Sequence, residues 1–81
     1  RPAAALIHLQ AAQAANPSDA LIHLYLGLSL QALDRPELAA AEFERVLTLS
    51  NEQILVDLAR ARLLQLYPQI VPLGAGQEGG G

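Results

Sequence analysis

Residues repeat their character at a spacing of 34. Ala5 returns as Ala39, Leu9 as Phe43, Ala12 as Val46, and Pro17 gives way to the turn-forming Asn51. A period of about 34 is the mark of helix pairs stacked side by side, in which no pair can bury its apolar face without a neighbour. That constraint matters in a chain of 81 residues, because a domain so small buries only a modest share of its surface. A composition that is 52% hydrophobic compensates in part.

Punctuation along the chain agrees with the period. Residues 3–15 are mostly Ala, Leu and Gln, strong helix formers, with Leu6, Leu9 and Gln13 sharing a face. Asn16, Pro17, Ser18 and Asp19 end that helix and start the next: Asn and Ser can cap, Pro suits a first turn, and Asp19 complements the positive end of the helix dipole. A second helix is expected over 20–33, and Pro36 breaks it from a third over 38–49. In the third, Ala39, Phe43, Val46 and Leu47 form an apolar stripe against a wet face with Glu42, Glu44 and Arg45. Ser50 to Gln53 reads as a capping box for a fourth helix that runs from Glu52 to about Tyr67, stopped by Pro68. Beyond it lie an apolar strip, Ile70 to Leu73, and a glycine-rich tail over 74–81.

Several function classes are disfavoured by composition. All five cations are arginine, the net charge is −3, and no basic cluster exists to track phosphates, so nucleic acid is not expected as a partner. The most apolar stretch, 20–33, is shorter than the roughly 20 residues a bilayer span needs and holds His23 and Gln31. Cysteine is absent, which removes disulfides and thiolate metal sites and leaves the compartment open. Arg1 opens the chain and methionine is absent, which implies a segment of a longer or processed product. His8 and His23 have no partner ligand at zinc spacing, so His23 is expected as a packed, hydrogen-bonded imidazole. Ser29, His23 and Asp19 sit on one helix with no oxyanion loop, and the glycines precede no helix, so no catalytic residue, cofactor or small-molecule substrate is expected.

The second and third helices resemble the tetratricopeptide repeat, on the strength of His23, Leu26-Gly27 and Leu30, followed by Ala39, Phe43 and Val46. Leu26-Gly27 is the most telling pair, since glycine inside a helix costs about 1 kcal/mol and persists where two helices come close. The resemblance implies an all-α fold of antiparallel helix pairs stacked as a short solenoid of four helices. Residues 1–16 would be the second helix of a preceding repeat, 19–50 one complete repeat, 52–68 a capping helix and 69–81 the strip and tail. The fourth helix departs from the pattern, with Asp57, Arg60 and Ala61 where His23, Leu26 and Gly27 stand.

By the same resemblance, His23, Leu26, Leu30 and Leu33 would face the partner helix of the pair, while Leu21, Leu24, Leu28 and Gln31 would line a concave groove. Groove cations used by relatives that clamp a terminal carboxylate are replaced here by leucines, so that activity is not implied. Leaving three leucines in water would forgo about 1.5–3 kcal/mol each, and a helix apolar all round is expected to be covered all round. The reading is therefore a protein-binding scaffold whose contact residues are Leu21, Leu24, Tyr25 and Leu28, continued by Leu55, Leu58 and Arg62. Three covers remain open: an apolar or amphipathic segment of a partner, a second copy of the chain, or the chain's own Ile70 to Leu73 strip.

Overall fold

The computed structural model describes residues 1–70, and among them are four helices and no strand: α1 (Pro2–Ala15), α2 (Ala20–Ala32), α3 (Pro36–Leu49) and α4 (Gln53–Ile70). The main packings join sequence neighbours, α1 on α2, α2 on α3 and α3 on α4, and α2 also meets α4. The core lies among α2, α3 and α4, where Leu24, Ala39, Phe43, Val46, Ala59, Leu63 and Leu66 are buried together. No residue of α1 is buried; Leu6 only leans on the core from outside.

Helix boundaries follow from local chemistry. Asp19 caps α2, its carboxylate accepting from the Leu21 amide at 3.0 Å. Pro2 and Pro36 sit in the first turns of α1 and α3, where a missing N–H costs nothing, so α3 begins two residues before the expected Leu38. At the end of α2 the Asp34 amide donates to Gln31 O at 3.1 Å and the Arg35 amide to Leu30 O at 2.9 Å. This six-to-one and five-to-two pairing closes the helix with Asp34 at φ 60°, a left-handed position that aspartate tolerates better than most residues.

Two expectations at α4 need correction. Ser50 Oγ accepts from the Glu52 amide at 3.1 Å, two residues on, and Gln53 turns forward to donate to Asp57 Oδ1 at 2.7 Å, so the reciprocal capping box does not form. Asp57 thus takes its hydrogen bond from Gln53, one turn earlier. Pro68 does not stop the helix, which continues to Ile70. A proline this close to a terminus removes only one bond from the ladder, and Ile70 gains contact with the core. The rest of the expected strip, from Val71 onward, and the glycine-rich tail lie outside the described residues.

Two contacts hold α2 against α3. His23, 2% exposed, places Nδ1 2.6 Å from Glu42 Oε1 and Nε2 2.7 Å from the Pro17 carbonyl. The ring therefore ties three segments together, each of its nitrogens facing an oxygen. Glu42, expected on the wet face of α3, is half-buried because it turns toward this histidine. Four residues along α2, a Cβ built on Gly27 would fall 2.6 Å from Phe43 Cε1, inside any allowed contact. Glycine is there because the Phe43 ring, itself wholly buried, occupies the space of a methyl group.

Gly27→Ala should accordingly cost about 1 kcal/mol or more, the overpacking penalty exceeding the gain in helix propensity. Urea denaturation should show Gly27→Ala combined with Phe43→Leu losing less than the sum of the two single losses. Strict additivity would mean that the ring and the backbone are not in register.

Candidate docking site

The seven residues expected to form one contact surface are dispersed. Leu24 is 4% exposed and belongs to the core, which corrects the expectation of three open groove leucines. Its cover comes from within the chain, since it belongs to the buried cluster built by α2, α3 and α4. Leu28 and Leu55 are half-buried and pack on the core edge, and Arg62 is half-buried too. Leu21, Tyr25 and Leu58 are exposed at 43, 48 and 46%. The first stripe meets its expectation better: His23, Leu26, Gly27 and Leu30 are all buried, with Leu33 half-buried at the helix end.

The exposed apolar residues border separate hollows. Leu21 and Leu55 border one at the N-terminal ends of α2 and α4, together with Ser18, Asp19, Leu49 and Glu52. Tyr25 and Leu28 line a larger one, about 530 Å³, in the angle between α1 and α2. Its other wall is α1, which contributes Ala5, His8 and Leu9, and its lining is mostly apolar. A third, of about 280 Å³, opens beside α4 between Leu47, Arg60, Leu64 and Tyr67.

The α1 wall was not among the expected contact residues, although the 34-residue period pointed to it. Ala39 and Phe43 are fully buried, whereas their counterparts one period earlier, Ala5 and Leu9, are only half-buried. The difference is one of cover: α2 lies over Ala39 and Phe43, and the α1–α2 hollow lies over Ala5 and Leu9. The period is also a physical distance. Gln31 of α2 donates from Nε2 to Oε1 of Gln65 on α4 at 3.5 Å, so residues 34 apart stand side by side. Gln31 Oε1 is buried without a partner among the described residues.

Among the described residues no set of three or more His, Asp or Glu side chains is placed to hold a metal ion. His23 is buried against half-buried Glu42, with its remaining ring nitrogen held by a backbone carbonyl. No described helix is both long and apolar enough to cross a membrane.

A charge at Leu24 should therefore break the core, and a charge at Leu21 should not. Leu24→Glu is expected to lose at least about 3 kcal/mol, the cost of an unpaired buried carboxylate, and Leu21→Glu less than about 0.5 kcal/mol. Thermal unfolding of both variants, followed by circular dichroism, separates the two sites.

The chain matches no protein-family model, no curated protein and no solved structure.

Proposed function

We propose that this chain is a helical-repeat module of the tetratricopeptide type that holds another polypeptide and carries out no chemistry. The observation that carries the reading is the α1–α2 hollow, walled by half-buried Ala5 and Leu9 and by exposed Tyr25. An open apolar angle between two packed helices has the shape that accepts a third helix, with anchors at i, i+3 and i+7 entering the trough. Support for the repeat reading comes from Gly27 under Phe43, His23 in the bulky packing position and the Gln31–Gln65 contact at one full period.

Of the residues first expected to make contact, Tyr25 and Leu28 stay in the proposed surface, and Ala5, His8 and Leu9 join them. Tyr25 is the anchor best suited to a partner, being half-exposed, apolar along its ring and able to hydrogen-bond at its tip. Leu21 and Leu55 border a separate hollow and would orient a longer ligand.

The test is a titration of the isotope-labelled chain with a panel of amphipathic helical peptides bearing Leu or Ala at i, i+3, i+7 and i+10. Amide shifts should concentrate at Ala5, Leu9, Tyr25 and Ala32, and Tyr25→Glu should weaken binding by about tenfold or more. A panel without any member that perturbs these positions at millimolar concentration overturns the reading.

A further inference from the structure

The 34-residue offset allows the two ends of the molecule to be compared with its middle. In the middle, α2 lies over Ala39, Phe43, Ala59, Leu63 and Leu66, all buried. Subtracting 34 from each gives Ala5, Leu9, Tyr25, Ser29 and Ala32, and these five residues line the α1–α2 hollow. The hollow is thus related to α1 and α2 as the bed of α2 is related to α3 and α4. Adding 34 to the α2 face that lies in that bed, Ala20, His23, Gly27 and Leu30, gives Ile54, Asp57, Ala61 and Leu64 of α4. These are exposed, Ile54 at 75% and Leu64 at 70%. Among the described residues, the open bed between α1 and α2 therefore has a counterpart in an exposed helix face of the matching register on α4.

Resting on the docking reading above, we infer that the hollow is filled by α4 of a second copy, so that chains join head to tail. The contacts of the middle of the molecule are rebuilt at such a joint with their partners exchanged. Where Gly27 faces Phe43, Ala61 would face Leu9: the helix gains a methyl and its neighbour loses an aromatic ring. Where His23 pairs with Glu42, Asp57 would pair with His8, base and acid having changed sides. Where Gln31 donates to Gln65, Gln65 of one copy would donate to Gln31 of the next, whose Oε1 is the buried oxygen without a partner.

The floor of the hollow shows a similar exchange. Tyr25 is larger than its counterpart Ala59, and Ser29 and Ala32 are smaller than Leu63 and Leu66. Arg60 is the chief departure, standing where Leu26 is 2% exposed. It shares a hollow with Leu47, Leu64 and Tyr67, and an arginine can keep its guanidinium in water while its methylenes cover apolar surface. The joint pairs two different surfaces, so each added copy still presents both ends and growth is not closed by symmetry.

Sedimentation equilibrium of the 81-residue chain should give a mean mass that climbs with concentration past that of a dimer. Leu64→Glu spoils only the helix face and Tyr25→Glu only the bed, and both residues are exposed, so each variant should keep its helicity and remain monomeric. Mixed in equal amounts they should form a one-to-one heterodimer that grows no further, because one intact bed meets one intact face. Within that heterodimer, His8→Asp on the bed-bearing copy should raise the dissociation constant several-fold by opposing two carboxylates, and Asp57→His on the other should restore it. Self-association of either single variant would indicate a symmetric interface and overturn the proposal. A wild-type chain that stays monomeric to about 1 mM, a concentration that corresponds to only about 4 kcal/mol of binding free energy, would overturn it as well. If that monomer nonetheless takes the amphipathic peptides in its hollow, self-docking fails and the docking reading stands.

Discussion

The closeness of α2 and α3 is the constraint on which the other features depend. With a Cβ at residue 27 placed 2.6 Å from the Phe43 ring, only glycine permits the two axes to lie as near as they do. That approach brings His23 within 2.6 Å of Glu42 and lets the imidazole reach back to the Pro17 carbonyl. Had the helices stood a methyl further apart, the histidine would be left with polar atoms buried and unpaired, which costs about 1–3 kcal/mol per group. A small hydrophobic contact thereby secures a polar one, and together they set the turn between α1 and α2.

The distribution of burial says what kind of stability this is. The core is shared among α2, α3 and α4, and α1 contributes no buried residue. On the proposed repeat reading each unit is stabilised by its neighbours as much as by itself, so a helix packed on one side alone is the least supported. Ala5 and Leu9 differ from Ala39 and Phe43 less in chemistry than in what lies over them. The same argument applies at the other end, where Ile54 and Leu64 stand in water on a face whose counterpart on α2 is buried. Exposed apolar area of this kind supports the proposed docking of another polypeptide.

Polar groups at the two ends are arranged with the same economy. Asp57 and His8 occupy the positions held in the middle of the molecule by His23 and Glu42, and Gln65 and Gln31 already meet across one period. In the proposed joint such pairs would supply orientation more than affinity, since exposed ion pairs are worth at most about 1 kcal/mol.

Much of the fold was legible from residue order. Four helices, their breaks near Pro17, Pro36 and Ser50, and the burial of His23, Leu26, Gly27 and Leu30 follow from helix propensity, proline geometry and the 34-residue spacing, all of which are local or periodic. Periodicity on α2 also identified two apolar stripes, but it could not say which was covered from within. Leu24 looks like a groove residue in sequence and is a core residue in space, because whether α4 closes over it depends on a packing between segments more than 30 residues apart. The α1 wall escaped notice for the converse reason: Ala5, His8 and Leu9 are unremarkable in a helix and become one side of a hollow only when α1 is set at an angle to α2. Residue order thus determined the elements and their spacing, while tertiary structure alone decided which apolar faces were spent on the chain's own core and which stayed exposed among the described residues, since burial belongs to pairs of surfaces and not to single residues.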